Sequence, residues 1–299
     1  MSKFDKDYLK LCEKILNEGV EVINRTGVNT IKIPGYFLEF DLEQEFPILT
    51  TKQVFFKNAI TEMLWIYQEQ SNDVRWLQSR GNHIWDEWEI DEDGMWHATQ
   101  NVVENGKLVK RDIVKDFGKE YKHTIGTAYG WIVKKYGLID KLIDTIKNNP
   151  TDRRMLMSLW QNEFLDTAVL PSCVWSSEWD VTDGKINLWV HQRSCDVPLG
   201  LPFNVTQYAV LLSLIAHVTN LKPGKIFWSI KDAHIYVNQV DGIKEQIRRG
   251  KELPDLPAPN LWINPEIKDF YKFDNSRKLN DIKIVDYKHH GKIEFKITQ

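Results

Sequence analysis

The spacing of hydrophobic and polar residues along the chain predicts a mixture of helices and strands. Apolar residues recur at helical intervals in four segments, which we expect to form α-helices: residues 5–17, 73–78, 138–148 and 240–249. Residues 55–68 and 202–219 are apolar on nearly every side, a pattern typical of helices that are buried in a core.

Alternation of apolar and polar residues predicts strands at several places. We expect strands at residues 30–42, 154–159, 177–181, 186–192, 225–230, 282–287 and 292–297. Residues 89–123 are charged and irregular, which indicates a surface insertion containing a small hairpin. Because no repeat or glycine- and serine-rich linker divides the chain, we expect one α+β domain over residues 1–299.

Composition narrows the class of protein. The 299 residues carry a net charge of only −3 with both signs interspersed, so a basic footprint for nucleic acid is absent. Three cysteines far apart argue against a disulfide framework and for a reducing compartment. The first residues are charged, unlike a signal peptide, and no apolar run approaches the ~18 residues of a membrane span. We expect a soluble cytoplasmic protein.

One cysteine occupies a position that suits a nucleophile. Cys173 follows a Leu-Pro-Ser turn and precedes a strand-like run, but no histidine adjoins it to act as a base. Taken alone, it is better explained as a small buried hydrophobic residue, and the segment that follows at residues 192–204 favours the nucleophile. A nearby arginine is an alternative means of stabilising a thiolate.

Polar residues in otherwise structured segments mark a candidate binding site. Residues 192–204 (QRSCDVPLGLPFN) place Arg193 and Ser194, which suit a phosphate, close to Asn204, whose amide can both donate and accept. Glu62 lies on an apolar helix, where burial would raise its pKa and make it a candidate proton shuttle. His234 and Tyr236 could donate to a sugar hydroxyl or hold a turn between a strand and a helix.

Several common sites have no counterpart in the sequence. The cysteines and histidines show no metal-ligand spacing, so we expect no metal. Neither a GxGxxG nor a GxxxxGK[ST] pattern occurs, which argues against a dinucleotide-dependent redox enzyme and a P-loop kinase.

Taken together, these segments resemble the thymidylate synthase family over nearly the full length. The matching stretches are residues 24–27 (NRTG), 46–52 (FPILTTK), 62–65 (EMLW), 84–88 (IWDEW), 128–130 (AYG), 153–154 (RR), 170–173 (LPSC), 192–196 (QRSCD), 199–204 (LGLPFN) and 232–236 (DAHIY). Only residues 89–123 have no counterpart in the core pattern. So many motifs in order are highly specific for this family.

The resemblance implies a large mixed sheet covered by helices, and a homodimer whose sheets pack face to face. It also implies that dUMP and 5,10-methylenetetrahydrofolate are the substrates. The residues implied for catalysis are Cys173 as the thiol that adds to C6 of the pyrimidine, Glu62, Tyr129, Arg193 and Asp196. Arg193 is implied to lower the pKa of the thiol.

The resemblance also assigns the binding residues. Those implied for dUMP are Arg25, Arg193 and Ser194 at the phosphate, Arg153 and Arg154 reaching it across the dimer interface, Asn204 and Asp196 at the base, His234 and Tyr236 at the sugar, and Gln192. Those implied for the folate are Lys52, Ile84, Trp85, Asp196, Leu199, Gly200, Phe203 and Gln299.

Two departures leave alternatives open. Val174 stands where most family members have histidine, and the polar Gln299 stands where they end in a small apolar residue that helps close the site. One alternative is a dUMP 5-hydroxymethylase, in which water intercepts the same intermediate. A second is an RNA-binding translational repressor that uses the same fold, for which the chain lacks an exposed basic stripe.

Overall fold

A computed structural model describes residues 1–104 and 107–297. Its α-helices are α1 (Lys3–Glu18), α2 (Phe56–Tyr67), α3 (Val74–Gln78), α4 (Gly130–Tyr136), α5 (Leu138–Asn148), α6 (Gly200–Val218) and α7 (Val240–Glu252). Its strands are β1 (Val20–Val22), β2 (Thr30–Asp41), β3 (Met95–Glu104), β4 (Lys107–Asp116), β5 (Leu156–Ser158), β6 (Val174–Thr182), β7 (Lys185–Gln192), β8 (Cys195–Asp196), β9 (Lys222–Tyr236), β10 (Asn260–Ile263) and β11 (Ile282–Val285).

The main sheet is mixed and holds most of the strands. Its order is β1-β2-β9-β7-β6-β5, with β8 paired to β9 beyond the end of β7. Strand β9 is antiparallel to β2 but parallel to β7 and β8. The predicted mixed α+β architecture is therefore confirmed.

Helix α6 is the centre of the hydrophobic core. It is apolar on all sides and packs against α2 and the inner face of the sheet, as the sequence predicts. By length and composition it could span a membrane, but 83% of its apolar window is buried inside this fold. Such burial is expected of a core helix.

Residues 95–104 and 107–116 form the small hairpin that the sequence predicts, with β3 and β4 paired antiparallel. Trp96 and Ala98 of this hairpin form a separate small apolar cluster with Ile90 and Phe117. The hairpin also reaches the loop that contains Arg25, because the backbone N–H of Asn101 donates to the Arg25 carbonyl at 2.7 Å.

Two predicted boundaries are wrong. Residues 231–236, expected between a strand and a helix, belong to β9, which continues to Tyr236 by pairing with β2 and β8. Residues 292–297, expected to be a strand, are not in one. Their alternation instead reflects separate docking sites, since Phe295 packs beneath Lys52 and Ile297 lines a cavity.

Candidate active site

A cavity of about 360 Å³ brings most of the predicted site residues together. Its lining includes the predicted catalytic and nucleotide-binding residues Arg25, Glu62, Tyr129, Cys173, Arg193, Ser194, Asp196, Asn204, His234 and Tyr236. It also includes the predicted folate-binding residues Ile84, Trp85, Leu199, Gly200 and Phe203. These residues are distant in sequence, so the fold assembles the cavity as a single site.

Strand pairing places Cys173 beside Arg193. Cys173 directly precedes β6, whose first residue Val174 pairs with Gln192 at the end of β7. The N–H of Arg193 consequently donates to the Cys173 carbonyl at 2.9 Å. One guanidinium nitrogen, Nη2, lies 3.9 Å from the Cys173 Sγ.

The guanidinium of Arg193 is held in place by the turn before the cysteine. Its Nε donates to the Ser172 carbonyl at 3.1 Å, and its Nη2 donates to the Pro171 carbonyl at 2.6 Å. The group also lies over the ring of Trp160, 5.5 Å from its centre. A fixed cation beside a half-buried thiol suits the stabilisation of a thiolate.

The pKa of Cys173 nevertheless differs in direction from the sequence-based expectation. Burial raises the pKa of the thiol above its ordinary value, and the charges of Arg193 and Arg25 with the hydrogen bond to Tyr129 only partly offset this. The expectation of a lowered pKa is wrong, because desolvation of the thiolate outweighs its cationic neighbours.

Tyr129 reaches Cys173 from a strained backbone. Its φ is 48° and its ψ −109°, immediately before α4. The next residue must be glycine, since a Cβ at Gly130 would lie 2.0 Å from the carbonyl oxygen of Ser71. This backbone lets the Tyr129 hydroxyl oxygen accept the Cys173 N–H at 3.1 Å.

Glu62 is the buried acid that the sequence predicts on α2. Its Oε1 accepts from the indole Nε1 of Trp85 at 2.6 Å, and its Oε2 accepts from Nε2 of Gln207. Burial raises the pKa of Glu62 to about 7, which these two hydrogen bonds only partly oppose. The predicted raised pKa is confirmed.

Asp196 and His234 adjoin each other where β8 pairs with β9. The Asp196 Oδ1 accepts the Leu199 N–H at 3.1 Å, and its Oδ2 accepts from Nε2 of Gln239 at 3.1 Å. Burial raises the pKa of Asp196 above its ordinary value. Nδ1 of His234 lies 2.9 Å from Oδ1 of Asp232, which orients the ring.

Two predicted ligand-binding residues lie behind the cavity wall. Gln192 is buried and bonds to the Asn204 side chain at 3.1 Å. Lys52 is also buried, and its Nζ donates to the Pro198 carbonyl at 2.5 Å. Desolvation lowers the pKa of Lys52 to about 8. In both cases the polar end is occupied by a protein partner instead of facing the cavity.

Two of the remaining predicted residues, Arg153 and Arg154, are not brought to this cavity. Arg153 and Arg154 are exposed just before the edge strand β5, and Arg154 pairs with Asp152 at 2.9 Å. Gln299 lies outside the described residues. Within residues 1–104 and 107–297, no cluster of three or more His, Cys, Asp or Glu side chains could hold a metal ion.

The sequence analysis missed Gln207, which lines the cavity and contacts both Asn204 and Glu62. A signal was available, because Gln207 is a polar residue inside an apolar helix, three positions after Asn204 on the same face. The same reasoning had singled out Glu62.

Comparison with known proteins matches the chain to one family. The thymidylate synthase family model matches residues 6–299. A thymidylate synthase from Clostridium beijerinckii is 49% identical over 298 residues, covering 100% of both chains. Thymidylate synthase 1 of Bacillus subtilis strain 168 is 37% identical, again over 100% of both chains.

A solved structure shows the same fold. The thermostable thymidylate synthase A from Bacillus subtilis superposes with a TM-score of 0.82 at 36% identity, covering 99% of each chain. The fold and cavity are thus those of a folate-dependent methyltransferase. The chain belongs to the thymidylate synthase family.

Proposed function

We propose that this chain converts dUMP to dTMP, taking a one-carbon unit and a hydride from 5,10-methylenetetrahydrofolate and releasing dihydrofolate. The observation that carries the proposal is the 3.9 Å separation between Arg193 Nη2 and Cys173 Sγ in a cavity that also contains Asn204. A thiol beside a fixed cation suits nucleophilic attack, and a primary amide suits recognition of a pyrimidine edge.

Cys173 is proposed to add to C6 of the uracil ring. Cys173 is a thiol before it reacts, so it first passes its proton to the acid–base groups of the cavity. Arg193 stabilises the resulting thiolate, whose electron pair forms the S–C6 bond while the negative charge moves into the ring. Addition at C6 makes C5 the carbon nucleophile that accepts the one-carbon unit. The C5 proton is then lost as the folate nitrogen departs, hydride from the folate completes the methyl group, and expulsion of the cysteine thiolate from C6 releases dTMP.

Nucleotide binding is proposed to use the polar side of the cavity. The phosphate would lie against Arg25, Arg193 and Ser194, and the sugar against His234 and Tyr236. The base would meet Asn204, with Asp196 close by. The support is that these groups line one cavity together with the nucleophile.

The folate is proposed to occupy the apolar side, against Ile84, Trp85, Leu199, Gly200 and Phe203. Lys52 is proposed to support this apolar wall from outside the cavity, because its ammonium group donates to the carbonyl of Pro198, directly before Leu199. Gln299, predicted near the folate, stays a prediction.

Glu62 and Tyr129 are proposed to organise proton transfers. A carboxyl group with a pKa of about 7 exchanges protons readily near neutral pH. Tyr129 accepts a backbone hydrogen bond from Cys173, so its own O–H is available to the cavity. Trp85 adjoins both groups, because its indole N–H donates to Glu62 and its ring centre lies 5.2 Å from that of Tyr129.

The outer face of the main sheet supports a homodimer. Aromatic side chains of this face remain partly exposed, among them Phe37 at 54% and Trp189 at 37%. Trp189 stacks on Phe227 at 4.3 Å, which continues the apolar surface across three strands. We propose that a second copy covers this face, and that Arg153 and Arg154 at its β5 edge reach the partner's nucleotide.

The proposal also covers the cellular location of the protein and the product of its reaction. A cytoplasmic location is proposed because Cys12, Cys173 and Cys195 are unpaired. Synthase activity is favoured over the hydroxymethylase alternative by the relatives, which are thymidylate synthases at up to 49% identity over the full length. The apolar wall around Trp85 suits exclusion of water while hydride is delivered.

The test is incubation of the full chain with dUMP and 5,10-methylenetetrahydrofolate, with the nucleotide product identified by mass. We expect dTMP, with dihydrofolate in equal amount. Formation of 5-hydroxymethyl-dUMP without dihydrofolate would instead establish the hydroxymethylase. An RNA-binding assay at physiological salt tests the repressor alternative.

A further inference from the structure

A line of hydrogen bonds joins a buried indole to the acid of the cavity. The Nε1–H of Trp228 donates to Oε1 of Gln192 at 2.9 Å, and Nε2 of Gln192 donates to Oδ1 of Asn204 at 3.1 Å. Beyond it, Nδ2 of Asn204 donates to Oε1 of Gln207 at 3.1 Å, and Nε2 of Gln207 donates to Oε2 of Glu62. All three amides therefore point the same way.

The two ends of this line are chemically unlike. The indole nitrogen of Trp228 can only donate, whereas the ionised carboxylate of Glu62 can only accept. If the Asn204 amide reversed, Gln192 and Gln207 would have to reverse with it. Gln192 would then turn its NH₂ toward the indole N–H of Trp228, and Gln207 would turn its oxygen toward the carboxylate of Glu62. Mispaired polar groups in a buried site are costly, so Trp228 and Glu62 together fix the orientation of the Asn204 amide between them.

The orientation of Asn204 decides which base fits. Its oxygen keeps a lone pair and its nitrogen keeps a hydrogen for a ligand in the cavity. Uracil presents an N3–H donor and an O4 acceptor, which match this orientation. Cytosine presents an N3 acceptor and an amino donor, which require the reversed amide. A base whose position is set by its sugar and phosphate cannot shift to compensate.

We propose that Trp228 is a specificity-determining positioning residue, whose indole N–H acts through Gln192 to hold Asn204 in the orientation that accepts uracil and rejects cytosine. This inference rests on the proposed function, because it takes a pyrimidine nucleotide as the ligand and Asn204 as its reader. Trp228 is fully buried on β9 and does not line the cavity, so it never touches the base.

Glu62 supplies the second anchor only while it is ionised. Burial raises its pKa to about 7, and the protonated acid can donate to a reversed Gln207. The ionisable groups around it are Tyr67 on α2, Tyr129 before α4 and Tyr208 on α6, with Cys173 and Arg193 lining the same cavity. Burial raises the pKa of all three tyrosines, so they stay neutral from pH 6 to 8.

The experiment compares the affinities of dUMP and dCMP for the full chain by calorimetry at pH 6 and pH 8. Both nucleotides carry the same sugar and phosphate, so the ratio of their dissociation constants isolates the base. We expect Trp228→Phe to reduce this ratio by about tenfold at pH 8, which corresponds to about 1.4 kcal/mol. At pH 6 the reduction should be larger, because both anchors are then released.

Trp179→Phe is the matched control. Trp179 is also a buried tryptophan of the main sheet, but its Nε1 donates to the Ser177 hydroxyl at 3.1 Å, outside the line. The ratio of the dUMP and dCMP dissociation constants of Trp179→Phe should equal that of the unmutated protein. An unchanged ratio in Trp228→Phe, with dUMP still bound, would overturn the inference. Failure of the unmutated protein to bind either nucleotide would overturn the proposed function instead.

A second measurement does not depend on the folding of the tryptophan variant. In the unmutated protein the ratio should fall as the pH drops below 7. In Glu62→Gln it should be low at both pH values, since a glutamine can donate as well as accept. A ratio that is flat with pH in the unmutated protein and unchanged in Glu62→Gln would also overturn the inference.

Discussion

The carboxylate of Glu62 accepts the indole N–H of Trp85 at 2.6 Å, which ties the buried acid of the cavity to its apolar wall. One hydrogen bond thus links the proposed proton-transfer group to the proposed folate contact. Movement of the indole on folate binding would remove a donor from Glu62 and raise its pKa further.

Glu62 also has a measurable effect on stability. Its folded pKa of about 7 lies above the ordinary 4.5, so its contribution to stability is fully present below pH 4.5 and is lost as the pH rises through 7. The loss amounts to about 3 kcal/mol at ~1.4 kcal/mol per pKa unit. Thermal unfolding from pH 5 to pH 8 should show this decline, and Glu62→Gln should show less of it. Parallel curves for the two proteins would contradict the assignment.

Cys173→Ser should bind dUMP but lose turnover by several orders of magnitude, because a serine hydroxyl is a far weaker nucleophile than a thiolate. Cys195→Ser is the control, since Cys195 is fully buried on β8 next to Asp196 and does not line the cavity. Initial rates and dUMP affinity would be measured for both variants. Equal damage in the two would refute Cys173 as the nucleophile.

In the proposed dimer, Arg153 and Arg154 reach the partner's nucleotide, which predicts complementation between inactive subunits. Arg153→Ala/Arg154→Ala protein and Cys173→Ser protein should each be inactive alone. After subunit exchange, a hybrid dimer would contain one site with every part intact, so activity should approach one quarter of normal in an equal mixture. No recovery, despite exchange seen by mass spectrometry, would argue that both arginines act on their own subunit or not at all.

Asn204→Asp should change base preference from dUMP toward dCMP. A protonated aspartate can donate to N3 of cytosine and accept from its amino group, which the held amide cannot do. The ratio of kcat/KM for the two nucleotides measures the change. If unmutated protein used both equally, Asn204 would not be the reader.

Sequence patterns predicted α2 and α6 because complete burial demands apolar residues on every face of a helix. They failed at the end of β9, where Asp232, His234 and Tyr236 break the strand pattern. His234 and Tyr236 line the cavity, and Asp232 contacts the His234 ring. Gln207 was missed although the pattern that singled out Glu62, a polar residue on an apolar helix, also applies to it.

The site could be assembled from the sequence only in part. Motifs identified the residues that share the cavity, but not the position of Gln192 and Lys52 behind its wall. Nor could they give the direction of the Cys173 pKa shift. That direction depends on desolvation, which is set by the packing of segments far apart in the chain.

The hydrogen bond from Asn101 to the Arg25 carbonyl means that the hairpin cannot be treated as an independent module. An engineer who shortened the enzyme to the core of its family would remove the brace from a loop proposed to hold the phosphate. We expect a higher KM for the nucleotide, whereas kcat should be nearly unchanged. Residues with no counterpart in the core pattern would thereby set the working concentration range of the enzyme.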